Sequence, residues 1–234
     1  MSKLTYDDIK APFLEAIERD KRCKALKKRI DAGVGNYAAA SEYAGRVGDI
    51  LAQTIKEYAD DGTVGALDVD ALIPQSLGLD HEIVAGVCLT VQNKLNKNAR
   101  LGAKPQAPEF NNSRAYGIVE ELKKLGEYEE LSPAFFDQLA NFSQNVVDES
   151  IQANGDMLNN AGVTCYVVRI AEATCCDWCA MQSGKYEYNE VSDTGNDVWR
   201  RHLGCRCTID FVTERNTGEV VSSNRVNNYK KPKE

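Results

Sequence analysis

The sequence predicts an α+β fold. A mostly helical region over residues 1–160, a helical arm or bundle, precedes a small Cys/His-rich β module over residues 161–215 and a polar tail over 216–234. Three observations predict it. Apolar residues recur at spacings of three and four through most of the first region, the period of an amphipathic helix. From Val163 the pattern changes to β-branched and aromatic residues, the mark of strands. Six of the eight cysteines and one of the two histidines fall between Cys165 and Cys207.

Residues 5–32 predict one helix. Thr5 with Asp8 three positions on forms a capping box, and Pro12 delays or kinks the start. Ile9, Phe13, Ile17, Leu26 and Ile30 form its apolar stripe. The opposite face carries Arg19, Lys21, Arg22, Lys24, Lys27, Lys28 and Arg29 without interleaved aromatic residues, the pattern of a solvated face. Gly33 and Gly35 end this helix, and Asn36 caps a second over 36–60, with Tyr37, Ala40, Tyr43, Ala44, Val47, Leu51, Ile55 and Tyr58 on one side. Small residues from Ala38 to Gly48 allow another helix to approach closely. Gly33-Val34-Gly35 is not a phosphate loop, because no strand precedes it and no Lys-Ser/Thr pair follows.

Residues 60–79 predict a connector, whose aspartates do not follow the ligand order of a calcium loop. Asp80 is expected to cap a helix reaching about residue 100, with Val84, Val87, Cys88 and Val91 inward and His81 on the surface. Two prolines mark a turn over 102–112. A helix over 112–125 follows. Ser132 as N-cap and Pro133 at the first helical position start a further helix that fades near Asn154-Gly155. In the last region, strands are expected over 164–170, 184–188 and 206–212, with a short helix over 196–203.

The cysteine pattern carries the chemistry. Cys176 and Cys179 form a Cys-x-x-Cys pair, and after 22 intervening residues His202, Cys205 and Cys207 form His-x-x-Cys-x-Cys. Thiolate and imidazole at this spacing suit a tetrahedral zinc ion, with sulfurs about 2.3 Å from the metal. Five candidates exist for four positions, and Cys175 is a sixth. So many soft ligands point to a closed, structural zinc site rather than a catalytic one with a position open for water. Disulfides or plain thiols are the alternatives. A β unit this small has little core of its own, and structural zinc supplies apparent binding energy on the order of 10–16 kcal/mol.

Other classes fit less well. The single histidine near the cysteines follows the Cys-x-x-Cys, which excludes the zinc deaminase order, and a C2H2 finger needs two. The net charge of −7 gives no global field for nucleic acid or an anionic membrane. MSKLTYDDIK lacks the apolar stretch of a signal peptide, and no run is long enough to span a membrane.

The run from Cys176 through Cys179, Gly184, His202, Cys205, Arg206 and Cys207 resembles the C-terminal module of phage head morphogenesis proteins, the minor capsid proteins similar to phage Mu protein F. In that family a strand leads into Cys-x-x-Cys, and the module closes on His-x-x-Cys-Arg-Cys before a final strand. Trp199 to His202 resembles the version found in phages and prophages of Gram-positive bacteria. Leu203 replaces the frequent proline after the histidine. The resemblance implies a non-enzymatic virion assembly protein associated with portal, capsid or scaffold proteins. It implies a place in the virion, and in the host cytoplasm during assembly, with no membrane or small-molecule substrate. The alternatives are a DNA-binding zinc module at the portal, and a nuclease or toxin-like enzyme using Arg200, Arg201, His202 and Asp210.

Overall fold

The computed structural model describes residues 3–59, 62–193 and 195–214, so the tail over 216–234 lies outside the described residues. The chain begins on the expected capping box: the Thr5 amide and hydroxyl both donate to the Asp8 carboxylate, at 2.8 and 2.6 Å. Helix α1 (Tyr6–Arg19) runs through Pro12. The single helix expected over 5–32 is two. Asp20 is extended, ends α1, and caps α2 (Lys21–Asp31) by accepting from the Cys23 amide. Arg46 donates to the same carboxylate and holds its pKa down at about 2. One short acidic side chain, serving as cap and ion-pair partner, overrides an otherwise continuous helical pattern.

Helix α3 (Tyr37–Tyr58) starts where Asn36 accepts from the Ala39 amide at 3.1 Å. After a 3-10 turn at Val64–Ala66, α4 (Val69–Asn98) corrects two expectations. The connector over 60–79 is largely helix, and Asp80 is a fully buried residue inside α4 rather than its cap. Pro74 within a helix costs roughly 3 kcal/mol. Burial of Leu72, Ile73 and Leu77 offsets that, at about 1.5–3 kcal/mol per side chain. His81 is not a free surface residue either. It lies half-buried and edge-on to Phe110, with ring centroids 5.6 Å apart.

Helix α5 (Asn112–Lys124) forms as expected. Helix α6 (Pro133–Asn160) is capped by Ser132, which accepts from the Phe135 amide at 3.2 Å. It continues past Asn154 because that side chain is buried and clasps the 102–112 turn, accepting from the Gln106 amide and donating to the Gln106 carbonyl. Gly155 does not stop the helix. It leaves room for the Tyr188 ring, which a Cβ there would strike.

Strands β1 (Cys165–Ile170), β2 (Gly184–Glu187) and β3 (Thr208–Thr213) form one antiparallel sheet in the order β2-β1-β3, so the fold is α+β. Cys165 pairs with Thr213 and Ile170 with Thr208. Short helices α7 (Asp177–Met181) and α8 (Tyr188–Val191) flank β2. The expected helix over 196–203 is a run of turns instead. The buried Arg169 guanidinium takes the Val198 and Arg200 carbonyls at 2.6 and 2.9 Å, acceptors that a helix would use internally.

The sheet shares its core with the helices. Val167, Ile209 and Phe211 belong to the same continuous apolar cluster as α3, α4 and α6. Phe211 meets Tyr37 and Tyr188 edge-on, at 6.1 and 6.3 Å. Asp210 accepts from the Asn36 side chain at 2.6 Å and from the Tyr37 amide at 3.1 Å. Burial pushes its carboxyl up to about 6, against these hydrogen bonds.

Two consequences of the helix packing are measurable. A Cβ on Gly48 would lie 2.5 Å from both the Ala140 Cα and the Ser143 Oγ. Gly48→Ala should therefore lower stability by about 1–3 kcal/mol despite the better helix propensity of alanine. Gly86 faces open space, and Gly86→Ala should raise stability by about 0.5–1 kcal/mol. Urea denaturation of the two variants should give opposite signs.

Asp80, fully buried and, among the described residues, accepting only from the Ser143 hydroxyl, has its carboxyl pushed up to about 7 by burial. A raised folded-state pKa favours the native protein below the unfolded value, near 3.9, and that advantage is lost as pH rises through the folded value. The loss is roughly 4 kcal/mol by pH 8. Asp80→Asn should flatten this dependence and stabilise the protein more at pH 8 than at pH 5. Equal gains at both pH values would refute it.

Candidate metal centre

The site forms where β1 and β3 emerge from the helical core. Cys176 is the N-cap of α7, and Cys179 lies in its first turn, fully buried. This places the two sulfurs on the same side of one helical turn. The second half is a tight turn in which the Cys205 amide donates to the His202 carbonyl at 3.1 Å. Gly204 has φ +70°, a left-handed conformation that glycine adopts without the Cβ clash. The Asn141 side chain holds the turn against α6 by donating to the His202 carbonyl at 2.8 Å.

All five residues predicted as ligands come together, in two overlapping groups: Cys176, Cys179 and His202, and Cys179, Cys205 and Cys207. Within each group the ligand atoms lie within 4.8 Å of one another. The His202 Nε2 is 3.4 Å from the Cys176 sulfur and 3.1 Å from that of Cys179, and the Cys179 and Cys205 sulfurs are 3.7 Å apart. Two sulfurs on one tetrahedral zinc-sized ion would be about 3.8 Å apart. His202 Nδ1 donates to the Leu203 carbonyl at 2.7 Å, which leaves the Nε2 lone pair facing the sulfurs. The donor set thus fits a metal ion. Cys175 belongs to neither group, and all eight cysteines are free thiols.

Cys179, Cys205 and Cys207 are buried and form a small cluster separate from the main core, lined by Ala171, Cys175 and Trp178. Cys176 and His202 close its exposed side. A hydrogen bond from the Cys207 thiol draws Cys205 down, while the same contact pushes Cys207 up. Burial lifts Cys179 to about 11. Thiolate is the form that binds metal.

Two buried arginines frame the sulfurs. Arg201 forms a bidentate pair with Asp148 of α6, at 2.7 and 2.9 Å, and donates to the Cys207 carbonyl at 2.6 Å. Arg169 of β1 places Nη2 3.7 Å from the Cys179 sulfur and 3.9 Å from that of Cys205. Arg206 reaches Asp49 of α3 at 2.7 Å and Asp137 of α6 at 3.5 Å. The sequence patterns do not reveal Arg169, Asp148 or Asn141 as part of the site. One signal existed for Arg169: a charge at an inward position of an alternating strand.

The set Arg200, Arg201, His202 and Asp210 does not gather at one cleft. Arg200 is exposed and pairs with Asp197, Arg201 faces Asp148, His202 faces the sulfurs, and Asp210 holds Asn36 and Tyr37. On the basic face of α1 and α2, Arg19, Arg22 and Lys27 pair with Glu15, Glu42 and Asp31. Among the described residues, no helix is long and apolar enough to cross a membrane. No protein-family model, curated protein or solved structure matches the chain.

Proposed function

We propose that the chain is a phage minor capsid, or head morphogenesis, protein whose Cys/His centre holds a structural zinc ion. One observation carries this reading. The residues that resemble the phage module, Cys176, Cys179, His202, Cys205 and Cys207, are the ones whose donor atoms converge. Zinc is favoured because three or four sulfurs and one imidazole suit a borderline-soft ion without a demanding geometry. A donor set this rich fills the coordination sphere, so the ion acts as a staple between the α7 turn and the turn after His202. Its protein partners would be portal, capsid or scaffold proteins, met in the host cytoplasm during assembly and retained in the virion.

The enzyme alternative has less support, because Arg201 and Asp210 are both committed to partners within the fold. A DNA-binding role draws on the basic residues after 224, which lie outside the described residues. The test is co-expression with the portal protein of the same phage, followed by affinity capture and metal analysis. Co-purification with about one zinc per chain is the expected result. A chain that never associates with portal or capsid proteins sinks the assembly role, and a metal-free preparation sinks the zinc.

A further inference from the structure

We infer that the centre is monoanionic, built from Cys176, Cys179, Cys205 and His202, with Arg169 as its buried counter-ion and Cys207 outside the coordination sphere. This rests on the metal reading of the same site.

The starting point is a charge without an opposite. Arg169 is the largest fully buried side chain, at 2% exposure. A guanidinium stays protonated in proteins, so burial does not neutralise it, and an uncompensated buried charge is strongly unfavourable. Among the described residues, no carboxylate hydrogen-bonds or ion-pairs with Arg169. Its Nη1 donates to the Val198 and Arg200 carbonyls at 2.6 and 2.9 Å, and lies 3.5 Å from that of Asp197. Its guanidinium carbon lies 5.3 Å from the centre of the Trp178 ring. Carbonyls and an aromatic face offer only partial negative charge. What remains is the sulfur group, which Nη2 addresses through Cys179 and Cys205. The second buried guanidinium, Arg201, is already neutralised by Asp148.

The charge count then selects the ligands. A divalent ion with two thiolates and a neutral imidazole is neutral and gives Arg169 no partner. A third thiolate makes the centre −1 and balances it. Cys205 and Cys207 both group with Cys179, and the geometry points to Cys205 as that thiolate because its sulfur also faces Nη2 of Arg169, at 3.9 Å. Cys176 and His202 group with Cys179 and not with Cys205, so the four positions fill when the ion draws the two groups together around Cys179. A further thiolate from Cys207 would bring the charge to −2, with no second unpaired arginine beside the cluster among the described residues.

The test uses the full chain, zinc affinity measured by chelator competition between pH 5.5 and 8, and the thiolate-to-cobalt(II) charge-transfer band. Arg169→Gln should weaken zinc binding by about 10–100-fold, the usual effect of removing an outer-shell partner, and move half-loading to higher pH. Arg169→Lys, which keeps the charge, should recover part of both. On the wild-type background, Cys205→Ser should lower the cobalt band by about one third, as expected for three thiolates becoming two. Cys207→Ser, whose hydroxyl still donates toward Cys205, should leave the band unchanged. Where Arg169→Gln fails to fold, the cysteine pair decides. Wild-type affinity and pH midpoint in Arg169→Gln, or a band loss in Cys207→Ser equal to that in Cys205→Ser, overturns the assignment while the metal reading stands. Wild-type protein that takes up neither zinc nor cobalt overturns both.

Discussion

Cys179→Ser should abolish metal loading and release the loops around the centre while the helices and the inner strands stay folded. Cys179 is shared by both ligand groups, is fully buried, and touches His202 at 3.1 Å and Cys205 at 3.7 Å. Its loss removes one sulfur and weakens the hold on the other ligands. For the proposed zinc ion, the energy at stake is bounded by an apparent binding energy on the order of 10 kcal/mol. How far the damage spreads is set by packing. The cysteines form their own small cluster, whereas Val167, Ile209 and Phe211 are part of the main core. Treatment with a chelator should have the same effect. Hydrogen exchange should therefore accelerate across 171–183 and 197–207 and remain slow in the centres of β1, β3 and α6, with far-UV circular dichroism nearly unchanged. Collapse of the whole helical signal, or protection in the loops that ignores the chelator, would contradict this account.

The second large effect is expected at Asp148. Its side chain and that of Arg201 are 4% and 1% exposed, and their two hydrogen bonds join α6 to the turn before His202. Asp148→Ala leaves a buried guanidinium without its counter-charge, a change that costs about 3–5 kcal/mol. Replacing both partners with methionine should cost far less than the single change, because a buried pair exchanged for apolar side chains of similar size is often nearly neutral. Urea denaturation of the single and double variants measures the difference. A single-variant loss below about 1 kcal/mol would place the pair among ordinary surface bridges.

What the sequence made legible were the features set by neighbours along the chain. The Thr5 and Ser132 caps, the start of α3 at Asn36, the β1 strand and the five residues that gather at the centre all follow from local spacing. What it hid depends on distant partners. The break at Asp20 needs Arg46, which lies on another helix. The continuation of α4 through Pro74 needs the burial of Leu72, Ile73 and Leu77. The turns over 196–203 replace a helix because Arg169, from a different strand, takes their carbonyls. The same division runs through the centre. Its sulfur and imidazole donors could be read from the motif, but the charges around it come from β1 and α6 and become visible only when the chain is folded.

The hold of Asp210 on the first turn of α3 also governs when this protein can finish folding. The carboxylate and the Tyr37 amide it accepts from are separated by 173 positions of chain. During synthesis the helices emerge first, and α3 must wait with its Tyr37 amide unclaimed and Tyr37 without Phe211 against its ring. The bundle can seal itself only after nearly the entire described polypeptide has left the ribosome. Closure at such a sequence distance is slow, so the nascent chain passes through an interval in which its apolar interior is open to the crowded cell.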